Sequence, residues 1–263
     1  MDSMKKRGVD EQGFVLNVCH PERIQTEFRV VVDQAVAQLL NTFPTAIHSI
    51  YLYGSVARGE AKRCHSDLDM SVVFCAPLTE QDHKRLKQLS LALTEGFPLI
   101  TKVDFDPGHL AEVLHPQEKF RWQFWLKHCC CCLWGKDLAL GFEACRPNLA
   151  LACALNEDLP EMVVMLNCGL NEDNASTRGR VLAKKMLRSA CGLLVEQHRS
   201  WLVEPEECAG VIRRYQPHYE PGVEMALMIL RKETATVNEV VQLSASFAQP
   251  LIEEYRRITH NHL

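Results

Sequence analysis

Within residues 51–74 (YLYGSVARGEAKRCHSDLDMSVVF), the pair Gly54-Ser55 is followed, after eleven residues, by Asp67-Leu68-Asp69. Gly54 lets the backbone approach a phosphate with no side chain in the way. Ser55 offers a hydroxyl and an amide at the start of a helical turn, where the dipole favours an anion. Arg58 adds positive charge on the same turn. Asp67 and Asp69, two apart on a strand, project to one face. Two carboxylates side by side repel, and a divalent cation relieves that repulsion. A phosphate cradle with paired carboxylates points to a nucleotide bound with magnesium.

Such a site needs a third carboxylate. Asp104, between Val103 and Phe105 on a short strand, is placed to supply it from a neighbouring strand. Asp106 lies on the same face by alternation but adjoins Pro107 at the expected strand exit. Asp104 is preferred because a strand interior fixes geometry better than its end.

The elements that must position these residues follow from hydrophobic period. Residues 27–40 (EFRVVVDQAVAQLL) carry apolar side chains at helical spacing, and Phe43-Pro44 ends the run. Residues 47–53 (IHSIYLY) and 67–74 (DLDMSVVF) read as strands, with a helical turn over 56–61 between them. Residues 79–94 read as a helix with Thr79 as N-cap and Asp82 three residues on. Residues 102–106 (KVDFD) alternate as a short strand ended by Pro107-Gly108. Residues 118–128 read as a helix and 129–133 as an extended run. Beyond Gly141 strand signals vanish. Helices are expected over 149–155, 160–166, 178–198, 205–214, 221–231 and 237–258, with Pro147, Pro205, Pro217 and Pro221 between them. The expectation is an α/β front domain over 1–140 and an all-helical domain over 141–263.

Composition agrees with a globular chain: 263 residues, 47 % hydrophobic and 24 % charged. No uninterrupted apolar run is long enough for a membrane span. The basic cluster Lys5, Lys6 and Arg7 is interrupted by Asp10 and Glu11 before any apolar run, so a cytoplasmic protein without a secretory signal is expected. Lys and Arg number 29 against 33 Asp and Glu, and the part beyond residue 140 carries 13 basic and 16 acidic residues. A protein gripping long nucleic acid usually shows a basic excess, so a small or cationic substrate fits better. The 12 cysteines include the run Cys129-Cys130-Cys131-Cys132 beside His128. No second C-x-x-C or H-x-x-x-H completes a zinc site, and neighbours on a strand face opposite ways. The run reads as a buried strand with cysteine as a small hydrophobe.

The pattern Gly54-Ser55, eleven residues, then Asp67-Leu68-Asp69 between apolar flanks resembles the polymerase-β-like nucleotidyltransferase superfamily. Within it the chain resembles the streptomycin/spectinomycin-type aminoglycoside adenylyltransferases. IHSIYLYGS, SDLDMSVVF with PLTE, KVDFD, and FWLKH followed by LWGKDL carry the likeness, which continues into RVLAKKMLRSA. The resemblance implies an α+β fold: a catalytic lobe with a small mixed sheet, then a helical second domain, with ATP as co-substrate and two Mg2+ ions bound between the lobes. It implies that Asp67 and Asp69 are metal ligands, that Asp104 is the third carboxylate, and that Lys185 lies near the nucleotide. The loop where that group carries a lysine reads Glu204-Pro205-Glu206. Arg213 and His218 also match the R-x-x-x-x-H spacing of helical HEPN ribonuclease domains, but Pro217 interrupts the helix which that motif requires.

The expected activity is therefore transfer of AMP from ATP to a hydroxyl of a small, cationic, aminoglycoside-like acceptor. Asp67 and Asp69 would hold metal, and Asp104 would ligate it, take the acceptor's proton, or both. Gly54, Ser55 and Arg58 would grip the outgoing pyrophosphate. The alternatives are AMP transfer onto a protein side chain, in the manner of minimal nucleotidyltransferase antitoxins, and a nucleotide-binding module without catalysis. Three clustered carboxylates argue against the last.

Overall fold

The computed structural model describes residues 8–262, so Lys5, Lys6 and Arg7 lie outside the described residues. The chain forms two compact units. One is Leu16–Cys145; the other begins at Arg146 and includes residues 8–15. The association of 8–15 with the second unit is built from close contacts. The Arg146 guanidinium lies 4.3 Å from the Phe14 ring centroid, and Arg146 Nε donates to the Gln12 carbonyl at 3.1 Å.

In the first unit, α1 (Thr26–Thr42) precedes β1 (Ile47–Tyr53), α2 (Gly54–Arg58) and β2 (Leu68–Phe74). Then come α3 (Glu80–Gly96), β3 (Val103–His109), α4 (Leu110–Val113), α5 (Trp122–His128) and β4 (Cys131–Gly135). The sheet runs β3-β2-β1-β4. β1 is antiparallel to both β2 and β4, whereas β2 and β3 are parallel, so the sheet is mixed.

Alternation along the strands divides the core between the two faces of the sheet. Ile50, Leu52, Leu68, Met70 and Val72 pack against Phe28, Val31, Val32, Ala35 and Leu39 of α1 and Leu86, Leu89 and Leu93 of α3. Tyr51 and Val73 belong to a second cluster with Val113, Leu126 and Cys130. Asp69 alternates onto the side of Val73. The carboxylate therefore occupies the face opposite the main helical core.

Several boundaries differ from the sequence expectations. α2 begins at Gly54 rather than Val56. β3 continues through Pro107 and Gly108 to His109 instead of ending there. It is an edge strand, where a residue without an N–H is tolerated. The helix expected over 118–128 is broken. A 3-10 turn over Pro116–Phe120 gives way to α5 at Arg121, whose φ and ψ are −115° and −100°. The strand expected over 129–133 begins two residues later, at Cys131. Its cysteines do alternate: Cys131 packs into the main core and Cys130 into the second cluster. Burial pushes the Cys129 and Cys131 thiols up to about 12. The Thr79 cap is present, with Asp82 closing a capping box.

The second unit is built of helices from residue 149 on, and its residues 8–15 carry an isolated antiparallel bridge between Val9 and Val15. It contains α6 (Leu149–Ala154), α7 (Leu159–Asn167), α8 (Glu172–Gly192), α9 (Val195–His198), α10 (Pro205–Tyr215), α11 (Glu220–Arg231), α12 (Val237–Leu243) and α13 (Gln249–His262). α8 buries Leu182, Ala183, Met186, Leu187 and Ala190, and starts six residues before the expected 178 because Asn171 caps it. The single helix expected over 237–258 carries a π turn at Ser244–Ala248 between α12 and α13. There the Ser244 hydroxyl bonds back to the Val240 carbonyl at 3.0 Å, a local competitor of regular helix bonding. No described helix is long and apolar enough to cross a membrane.

Candidate active site

Strand register builds the site. Asp69 on β2 pairs with Tyr53 on antiparallel β1 and with Asp104 on parallel β3. Registered neighbours present their side chains to the same face, so Asp69 and Asp104 stand side by side. Asp67, two residues before Asp69, completes the set. One carboxylate oxygen from each of Asp67, Asp69 and Asp104 lies within 4.8 Å of the other two.

Three acids this close raise one another's cost of ionisation. Asp69 shows it: burial, then the Asp67 and Asp104 charges, push its carboxyl up to about 6. Gly54 closes the cluster from the β1 side. Its φ is +75°, and a Cβ there would stand 2.2 Å from Asp69 Oδ2. Any side chain at position 54 would fill the space the carboxylate occupies.

Lys102 and Thr101 attend the acids from the residues just before β3. Lys102 Nζ lies 2.5 Å from Asp104 Oδ2 and 3.9 Å from Asp67 Oδ2. Burial works to lower its pKa, but the Asp104, Asp67 and Asp69 carboxylates overcome that and raise it. The Thr101 hydroxyl donates to Asp67 Oδ1. Asp106 turns elsewhere and accepts a hydrogen bond from the Tyr53 hydroxyl. Trp125 packs edge-on against Tyr53, with centroids 4.8 Å apart, and its indole N–H donates to Ser71 Oγ at 3.1 Å. Burial, then Asp106, push the Tyr53 phenol far up, so it remains a donor.

Of the residues singled out from sequence, Gly54, Asp67, Asp69 and Asp104 come together. Ser55 follows Gly54 in α2, half-buried, and Arg58 ends that helix with Nε donating to Glu60 Oε2 at 2.8 Å. Lys185 belongs to α8 in the helical unit, where its ammonium donates to the Leu155 carbonyl and Asp158 Oδ1, both at 3.2 Å. Arg213 is bound to Glu220 and Glu224, and His218 stacks on Tyr219 in a 3-10 turn. Sequence reasoning missed Lys102, Thr101 and Tyr53 as parts of the site. The signal for Lys102 was available, since Lys102, Asp104 and Asp106 alternate along one face of KVDFD.

Residues 32–106, from within α1 into β3, match the nucleotidyltransferase domain family. The chain carries a nucleotidyltransferase domain. The matched stretch includes Gly54, Ser55, Asp67, Asp69 and Asp104. The nucleotidyltransferase is an enzyme of that class by its domain content. It resembles in fold a solved spectinomycin adenyltransferase, AAD(9), from Enterococcus faecialis, determined with ATP and spectinomycin. The TM-score is 0.58 at 14 % identity, covering 87 % of this chain and 99 % of that one. No curated protein sequence matches the nucleotidyltransferase. The expected α+β class is found: a polymerase-β-like lobe with a mixed four-stranded sheet, followed by helices.

Proposed function

We propose that this nucleotidyltransferase moves AMP from ATP to a hydroxyl of a small, cationic acceptor, with magnesium, and releases pyrophosphate. The observation that carries the reading is the convergence of Asp67, Asp69 and Asp104 oxygens within 4.8 Å, beside a glycine that no side chain could replace. Hard carboxylate oxygens suit Mg2+, and burial together with the Asp67 and Asp104 charges raises the Asp69 carboxyl, a penalty that a divalent ion would relieve. Asp67, Asp69 and Asp104 would hold the metal, which when bound neutralises charge on the triphosphate.

The chain's own residues supply the rest. Gly54 and Ser55 present backbone and hydroxyl donors to the pyrophosphate being released, and the Arg58 guanidinium adds charge there. Asp104 receives the acceptor's proton on a carboxylate oxygen, which makes the hydroxyl a better nucleophile. Tyr53, packed edge-on against Trp125, donates to Asp106 and braces the same face. Much of the acceleration then comes from positioning. Lys185 is the residue of the helical unit assigned to the nucleotide, on the resemblance alone.

ATP as donor and a small acceptor are supported by the similar solved protein, determined with ATP and spectinomycin. The part beyond residue 140, with 13 basic and 16 acidic residues, favours a cationic molecule over nucleic acid. The test is pyrophosphate release with each NTP across aminocyclitols, aminoglycosides, neutral sugars and candidate proteins. ATP-dependent release with a cationic small acceptor, weakened by added salt, is expected. Release only with a protein acceptor would replace this reading by protein AMP transfer.

A further inference from the structure

The carboxylate cluster already contains a cation, and it belongs to the chain. Lys102 Nζ sits 2.5 Å from Asp104 Oδ2 and 3.9 Å from Asp67 Oδ2, thus touching two of the three acids that would hold metal. The contact is dictated locally. Lys102 alternates onto the face of Asp104, and the Leu68 amide bonds the Lys102 carbonyl at 2.9 Å, which pins the base of the side chain beside Asp67. Thr101, bonded through its amide to the Ser66 carbonyl at 3.0 Å, anchors the preceding residue in the same way. The lysine side chain is half exposed, so its stem has room to swing into solvent.

We infer that Lys102 is a tethered counter-cation: its ammonium occupies the acidic cluster of the metal-free protein and must leave Asp104 and Asp67 as a divalent ion enters. The inference rests on the metal reading proposed above. An ammonium and a divalent ion compete for the same oxygens, because each needs the lone pairs the other uses. Lys102 thus lets three acids coexist without metal and sets how much metal is needed to load the site. Lys102 is a positioning residue, acting through Asp104 and Asp67.

The test uses Mn2+ as a paramagnetic probe, titrated into the full chain without nucleotide and followed by the free-ion signal. Lys102→Met should bind Mn2+ about 10-fold more tightly than wild type, the size expected for removing one competing charge from a partly solvated cluster. Lys102→Arg, which keeps the charge, should stay nearer wild type. Lys84→Met, which removes an exposed lysine of α3, should leave the affinity unchanged. Metal-free Lys102→Met should melt below wild type at about pH 8, and saturating Mn2+ should close the gap. Unchanged or weaker Mn2+ binding by Lys102→Met overturns the inference, and weaker binding would make Lys102 an organiser of Asp104. If neither wild type nor Lys102→Met binds Mn2+, the metal reading itself falls, and this inference with it.

Discussion

Gly54 and Asp69 meet backbone to carboxylate: a Cβ on Gly54 would stand 2.2 Å from Asp69 Oδ2, and Gly54 holds φ at +75°. Two requirements thus converge on one residue. The turn out of β1 needs the left-handed region, and the acid on β2 needs the volume a side chain would take. The glycine that opens the turn into α2 is also the wall of the acidic cluster.

Gly54→Ala should therefore fail twice. The backbone strain should cost about 1–3 kcal/mol, read as a lower denaturant midpoint. Displacing Asp69 by even about 1 Å should cut turnover about 100-fold, read as pyrophosphate release. An alanine variant with wild-type turnover would show that the Asp69 carboxylate need not stay where it is.

Asp69 also predicts a pH dependence. Burial, then the Asp67 and Asp104 charges, push its carboxyl up to about 6 in the folded protein, against 3.8 as the ordinary value. The folded state holds the proton more tightly, so this group's contribution to stability is lost as pH rises from 3.8 through about 6. Asp69→Asn removes that loss. It should be more stable than wild type by about 1–3 kcal/mol above that window, in urea melts without divalent ions. Its advantage should vanish below about pH 4. Transfer should be abolished at every pH. An advantage that persists in acid would place the gain outside the Asp69 charge.

Asp104 and Asp106 differ by one strand step but should differ sharply in effect. Asp104→Asn keeps shape and loses the base, so turnover should fall by about 10²–10⁴ while nucleotide affinity changes less. Asp106→Asn retains an oxygen to accept from Tyr53 and should cost less than about 10-fold. Steady-state kinetics of the pair decides between them, and the reverse ranking would move the base to Asp106.

Much of this arrangement is legible in the sequence where local pattern and tertiary environment agree. β1 is found at its predicted limits because IHSIYLY is rich in β-branched and aromatic residues and is largely buried on both faces. Asp67 and Asp69 can be paired from spacing because strand alternation puts them on one side, whereas Asp104 joins them through the parallel register of β2 and β3. The errors arise where partners distant in sequence decide. Pro107 reads as a strand terminator, yet β3 passes through it because its outer edge needs no donor. The break at Arg121 is a backbone conformation that the side-chain pattern of 118–128 does not announce. Residues 8–15 join the helical unit through Gly8, where a Cβ would stand 1.9 Å from the Trp201 carbonyl oxygen. Lys102 is readable by alternation along KVDFD, but a lysine beside a strand singles out no site, since most lysines are simply exposed.

The central claim is that bond cleavage occurs at the α-phosphate of ATP under control of the acidic cluster. ATP labelled at the α-phosphate or at the γ-phosphate, incubated with magnesium and a reactive acceptor, tests it most directly. The account predicts that α-label moves to the acceptor, that γ-label leaves in pyrophosphate, and that Asp67→Ala stops both. Transfer of γ-label to the acceptor, or α-label transfer undiminished in Asp67→Ala, would contradict it.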